Sequence, residues 1–503
     1  MRKLILLFLV CWLPAFGAIS ATMQWDVRAT GSDSNSGGFD PGVSVPGTDY
    51  SQQNSPQITY TDLVIGVTTT KYTSVLNIVS SALPGNALVI TGGTGCTTGV
   101  YEVLSNATIT ATVDRSLGTA ASVCTAVLGG SLATICGTGA GGSKCSTGAI
   151  SNALQGNTVW VKSNGSSAVN TLTSAIQMTN ANGTGVALTI SGYASTHGDN
   201  GAKPLITTST GSIDLIDLLG SSSAISTLNN LWLQSTGNGY QVVSNQYSIS
   251  YGYQIKMFNC KIDIATATSE TAVNVAAGGI NTTTITAWIV GNEFSLGSGS
   301  GVNNPGNGSI VILEGNYFHG GGGYSLGDSG TGNGRWIVKN NVFASNTRGI
   351  YSTSTSSGGL AWLVLDGNSF YGQTNENVRV AGTPVWVEAQ NNVFYGGTYG
   401  MYFANLPTTA FSLPNSYGNI GTANTLNWYG NANGAADVAL SANPFTNAGG
   451  GVFTLNSTAG GGAALKAAGF PGVTPAGTGY LDIGALQSQA AAGASIAAGS
   501  YVQ

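Results

Sequence analysis

Two sets of side chains in this chain have the types and spacing to do chemistry. Glu314, Lys339 and Asp366 follow one another at steps of 25 and 27 residues (314 to 339, 339 to 366), each two residues before an Asn. If each step is one turn of a stacked coil, they occupy successive rungs about 4.8 Å apart, which sets the two carboxylates about 9.6 Å apart. That is the wide end of the separation at which a carboxylic acid and a carboxylate cleave a glycosidic bond with inversion. The bland alternative, and the commoner one, is a surface charge ladder of little energetic weight. Tyr351, Arg379 and Tyr402 are the second set. Taking Tyr324, Ile350, Val378 and Met401 as inward leaves Ser325 and these three facing outward on neighbouring coils. A guanidinium fork holds a carboxylate or sulfate, and flanking Tyr rings offer apolar area to sugar faces. The bland reading is ordinary exposed Tyr on a β-surface.

Three further patterns carry less. Asp33 and Asn35 place oxygen ligands at alternate positions, as a calcium loop does, but the distal Glu of such a loop is missing. Calcium is the only cofactor for which the chain offers ligands. The run Gly323-Tyr324-Ser325-Leu326-Gly327 has the letters of a hydrolase nucleophile turn without a following helix. The Gly-rich stretch from Gly137 to Gly142 spells a dinucleotide loop only as letters.

The elements that position these groups are legible as a repeat. From Asn229 to Phe394 one phrase recurs: an Asn, any residue, then a large apolar residue, after a strand-like alternation. Its marks are Asn230, Cys260, Asn292, Asn316, Asn341, Asn368 and Asn392, spaced by 24 to 32 residues. A period of that length is a solenoid in which each unit is one turn of chain. Counting back from Asn316, Asn341, Asn368 and Asn392, position minus five holds Val311, Trp336, Leu363 and Val387. Position minus three holds Leu313, Val338, Leu365 and Ala389, so this face points inward and position minus two, with Glu314, Lys339, Asp366 and Gln390, points to water. Asn suits the tight corner because it tolerates a left-handed backbone and bonds locally. A 24-residue unit spent on strands and corners leaves no room for a long helix, so the unit is a β-coil.

These residues resemble the right-handed parallel β-helix proteins of the pectate-lyase-like superfamily, whose coils carry an internal Asn ladder at such a corner. The resemblance covers roughly residues 149–489 and implies an all-β fold, a right-handed parallel β-helix. It does not bring an active site: the outward column has Arg379 but no Asp cluster for calcium, only Asp328 and Glu376 nearby, and the paired adjacent Asp of the hydrolases is absent. Cys260 takes the ladder position in its own coil.

The rest of the chain frames this solenoid. Arg2 and Lys3 precede the apolar run Leu4 to Phe16, so residues 1–21 read as a secretory signal peptide with cleavage after Ala21. Residues 22–148 read as a smaller β-rich module, 149–445 as the β-helix opening with a capping helix, 446–489 as its closing segment and 490–503 as a flexible Ala/Gly/Ser tail. An oxidising destination makes two disulfides among Cys96, Cys124, Cys136 and Cys145 the economical reading, pairing Cys96 with Cys124 and Cys136 with Cys145, and leaves Cys260 a buried thiol. A formal charge of −5 with 7% charged residues gives no footprint for nucleic acid, and no later segment reads as a membrane insertion. The function this favours is a secreted or cell-surface scaffold, bacterial or phage-derived, that binds a polysaccharide or surface glycan without catalysis. A homo-oligomer, trimeric if the chain is spike-like, fits the same reading. The alternative is a polysaccharide lyase or glycoside hydrolase acting on an acidic polysaccharide.

Overall fold

A computed structural model describes residues 19–76, 83–137, 145, 147–172, 175–178, 186–208, 213–218, 225–236, 241–244, 254–264, 270–275, 285–303, 310–328, 334–352, 362–381, 386–404, 409–412, 415–420, 428–429, 437–466, 468–469 and 482–487. The apolar run before residue 19 and the tail from 490 onward lie outside the described residues.

The chain divides into two units, 34–131 with the leading residues to 24, and 25–33 with 132–503. The smaller unit is a closed barrel of six antiparallel strands, Ile58–Ile65, Lys71–Thr73, Thr110–Val113, Gly99–Asn106, Ala87–Gly92 and Val123–Leu128 in order around the wall. Alternation puts Tyr60, Leu63, Tyr72, Leu88, Tyr101, Val103 and Leu128 into one core, where Cys96 is bonded to Cys124. Closure removes the strand edges that a short sheet would otherwise expose.

The larger unit is a parallel β-solenoid with three sheets. Among the described residues ten successive coils give one strand to each, as in Arg335–Lys339, Val342–Ala344 and Arg348–Ser352. In the first sheet Val311, Trp336, Leu363 and Val387 are in register and buried. In the second, Phe294, Phe318, Phe343, Phe370, Phe394 and Tyr417 stack ring on ring with centroids 4.4 to 5.2 Å apart. Between the two sheets the backbone turns through one left-handed residue. That residue is Gly291 (φ 65°), Gly315 (62°) or Gly367 (65°) in some coils and Asn259 (50°), Asn340 (54°) or Asn391 (56°) in others, the two residue types that accept this region most readily.

Next to that residue runs the ladder. Asn316 N and Nδ2 both donate to Asn341 Oδ1 at 2.9 Å, and Asn341 repeats the pattern on Asn368 at 2.9 and 3.1 Å. Asn292 does so on Asn316, Asn368 on Asn392, and Asn392 on Asn415. The second hydrogen of each amide goes to a carbonyl of the preceding coil, as Asn341 Nδ2 does to Leu313 O at 3.0 Å. Asn415, one rung beyond the recurring phrase, extends the column and donates from its N to Asp437.

Asn230 is not a member. Trp232 pairs with Lys261 and Lys261 with Glu293, so the ladder position in that coil is Leu231, and Asn230 is the left-handed residue before it (φ 52°). Cys260 does hold a ladder position. Its thiol points at Phe258 O and Leu228 O, the counterparts of Val290 O and Met257 O, which Asn292 Nδ2 contacts. Burial pushes that thiol up to about 12.

One boundary and the placement of one disulfide differ from the sequence reading. The strand Gln24–Val27 is hydrogen-bonded to Thr158–Lys162 in the first sheet, so the solenoid starts before the barrel and the barrel is an insertion between residues 33 and 132. Consequently only Cys96–Cys124 belongs to the barrel unit, and Cys136–Cys145 staples the opening of the solenoid, beside the short helix Ala149–Asn152. The closing segment runs back over the outside of the second sheet. Phe445, Phe453, Leu455, Leu465 and Ile483 cover Val342, Val393, Tyr317, Tyr371 and Tyr395, and Ala485 N donates to Ser369 Oγ. Among the described residues no helix is long and apolar enough to cross a membrane.

Candidate functional site

With the second sheet covered by its own chain, the third sheet carries the side chains best placed to bind. Its strands do not keep a strict period of two. In Arg348–Ser352 both Gly349 and Ile350 face inward, so the outward positions are three apart, Arg348 and Tyr351. Two outward columns result. One holds Ser300, Tyr324, Arg348, Glu376 and Tyr399, the other Asn303, Gly327, Tyr351, Arg379 and Tyr402.

The expectation for Tyr324 and Ser325 is therefore reversed. Leu326 is the inward partner of Ile350, Ser325 is buried, and Tyr324 lies on the outer face. Its ring rests over Gly327, where a Cβ would collide with Tyr324 Cε2. A glycine in the outward column thus lets an aromatic ring lie against the sheet, 6.0 Å from the ring of Tyr351.

Around Arg379 the geometry is compact. Its guanidinium carbon is 5.7 Å from the centre of Tyr351 and 5.2 Å from that of Tyr402, and Arg348 stands 4.4 Å over Tyr351. Both cations share one carboxylate: Arg348 Nε donates to Glu376 Oε2 at 2.7 Å and Arg379 Nη1 to Oε1 at 2.8 Å. Burial alone would raise Glu376, but the two guanidinium bonds outweigh it and hold the carboxyl below its ordinary range. Two cations against one anion leave the group with one net positive charge. The Arg379 side chain is 33% exposed, with Nη2 left without a protein acceptor among the described residues. Sequence reasoning placed Tyr351, Arg379 and Tyr402 on this column but missed Arg348, put Tyr324 inward and named Glu376 only as a nearby carboxylate. Their signal was the spacing of three.

Compared with known proteins, the chain matches no family model, no curated protein and no solved structure.

The other candidates are placed differently. Glu314, Lys339 and Asp366 do fall on adjacent rungs of the first sheet, half-buried, with Asp366 touched by Asn391 Nδ2 at 3.5 Å. Nothing else with acid or base chemistry joins them on that column, which continues with Val290 on one side and Gln390 on the other. Asp33 has both oxygens engaged: Oδ1 accepts from Ala133 N and Thr134 N, and Oδ2 from Thr134 Oγ1 at 2.6 Å. Asn35, in the other unit, turns its amide nitrogen to Asn54 O and Ser131 O. Neither offers a calcium ion a prepared set of oxygens. Among the described residues no group of three or more His, Cys, Asp or Glu is arranged to hold a metal. The side chain of Asp328 lies outside the described residues.

A buried acid, Glu270, and a half-buried one, Asp217, sit nearer the start of the third sheet. Burial pushes Glu270 up to about 7, offset only in part by Ser235 Oγ at 2.8 Å. Burial and then the neighbouring Asp214 push Asp217 up to about 6.

Proposed function

We propose that the chain is a secreted β-solenoid, akin to the pectate-lyase-like proteins, that retains an acidic glycan on the outer face of its third sheet without cleaving it. The observation that carries this reading is Arg379 held between Tyr351 and Tyr402, with Arg348 beside it. Stacked cations keep their charge while the rings exclude water on either side, so a carboxylate or sulfate meets a fixed fork and the sugar rings meet apolar faces. Glu376 orients both forks and leaves a surplus of positive charge. The two disulfides and the apolar run near the N-terminus support export.

The test is retention on immobilised acidic polysaccharides, with release of reducing ends and unsaturated sugars followed in parallel. Retention without product, weakening as salt rises, is expected because the contact is half-exposed and screened. Product formation that Asp366→Asn stops without loss of retention would replace this reading with a hydrolase using Glu314 and Asp366.

A further inference from the structure

Of the solenoid's outer faces that its own closing segment leaves uncovered, the first sheet is the apolar one. Its middle column reads Lys256, Trp288, Ile312, Ile337, Val364 and Glu388 in register. Beside it Ile310, Arg335, Trp362 and Trp386 form a second column, in which Trp362 is 45% exposed, and Trp288 in the first is 39% exposed. On the opposite flank runs the column of Glu314, Lys339 and Asp366. Contiguous exposed apolar area with a polar border marks a surface that docks to something.

The charges say what. The middle column has a cation at one end, an anion at the other and four apolar residues between. Among the described residues neither Lys256 nor Glu388 is part of an ion pair, nor are Glu314 and Lys339. We propose that this face joins two copies of the chain into an antiparallel homodimer, about a two-fold axis parallel to the strands and between the rungs of Ile312 and Ile337. Such an axis keeps each residue's place along its strand and reverses the order of the rungs. Lys256 then faces the partner's Glu388, Trp288 the partner's Val364, Ile312 the partner's Ile337, and Glu314 the partner's Lys339. Each of these pairs occurs twice, as an isologous interface requires.

The alternatives are penalised by the same charges. A two-fold axis along the solenoid would set Lys256 against Lys256 and Glu388 against Glu388. A slip that puts the axis on the rung of Ile337 would set Lys339 against Lys339. Like charges brought together on a dry face are unfavourable and fix the register. Three columns two residues apart and six rungs cover about 600 Å² per copy, from about 3.3 Å per residue and about 4.8 Å between strands. Twice that is the low end of specific interfaces, so the dimer is of the kind that dissociates on dilution. The closed first sheet also leaves the third sheet of both copies open, so two glycan faces are presented by one particle.

Sedimentation velocity of the full exported chain over a dilution series reads this directly. Wild type is expected to pass from dimer to monomer, and Ile337→Asp to be monomeric throughout with an unchanged far-ultraviolet spectrum and melting temperature, the position being outward. Lys256→Glu and Glu388→Lys should each weaken association about tenfold, equivalent to about 1.4 kcal/mol, and the double exchange should restore it. A chain monomeric at every concentration, or a dimer indifferent to the two reversals or not restored by the exchange, overturns the proposal. So does a monomer that dimerises only after residues 488–503 are removed, which would make the chain's own tail the occupant.

Discussion

The Asn corner and the outer columns of the third sheet stand on the same rungs and repeat with the same period, yet they obey opposite rules. At the corner six successive rungs, Asn292 to Asn415, keep one residue type. Each amide accepts two bonds from one neighbour and donates to the other, and the carbonyls that receive its second hydrogen are buried. On the outer columns rung follows rung from Asn303 to Gly327, Tyr351, Arg379 and Tyr402 with no type repeated in order. The inner column is constrained because an unpartnered polar group in a dry interior is costly. The outer column is free because water satisfies whatever faces it. A solenoid can therefore hold its fold by one line of residues and change its ligand by another.

The largest effect that would break this contrast is at the corner. Asn341→Leu leaves the Asn316 backbone N–H and amide without their acceptor, and at about 1–3 kcal/mol for each buried donor the loss is about 2–6 kcal/mol. Denaturant melts should show it as a fall in midpoint; a change below about 1 kcal/mol would mean the column is not what holds the coils. Next in size is Arg379→Ala, expected to lower retention on an acidic glycan more than about tenfold, while Glu314→Gln and Asp366→Asn leave both retention and the melting temperature unchanged.

A third test uses protons. Glu270 is raised from an ordinary 4.5 to about 7 by burial, so in the window between those values the unfolded chain has released a proton that the folded chain keeps. Its contribution to stability is full below pH 4.5 and is lost as pH rises through about 7. Glu270→Gln should therefore raise the melting temperature at pH 8 and change it little at pH 4. Equal shifts at both pH values would place the carboxyl in water. The smallest effect is expected from Cys260→Asn. The thiol already points at the two carbonyls an amide would use, so the change in stability should stay below about 1 kcal/mol, within the range of volume-conserving swaps. In the wild type Cys260 should alkylate only after unfolding.

How much of this was legible in the sequence follows the same division. The constrained line announced itself: the Asn phrase gave the parallel coils, the inward aromatics and the rung order of Glu314, Lys339 and Asp366. It failed by one residue at Asn229-Asn230, where two adjacent Asn offer two registers and the ladder residue is in fact Leu231. It stopped short of Asn415, which follows a Pro rather than a clear strand. The unconstrained line was harder. Counting by two through the third sheet put Tyr324 inward, because Gly349 and Ile350, like Val242 and Val243, face inward together and the alternation skips. Residues 25–33 and 132–148 carry no Asn phrase, and so were grouped with the barrel that separates them.

That separation has a bearing on how such a chain can change over generations. The polypeptide leaves the solenoid after residue 33 and re-enters it at 132. The two crossing points are tied to each other within the solenoid itself, by Asp33 on Ala133 and Thr134 and by Arg28 N on Leu132 O. The scaffold does not rely on the inserted barrel to bring its own ends together. The barrel in turn has a self-contained core and its own covalent staple. The barrel strands, residues 58–128, are thus a cassette: recombination can exchange them for another domain whose termini lie close together while the coils, the amide column and the outer face of the third sheet are inherited unaltered.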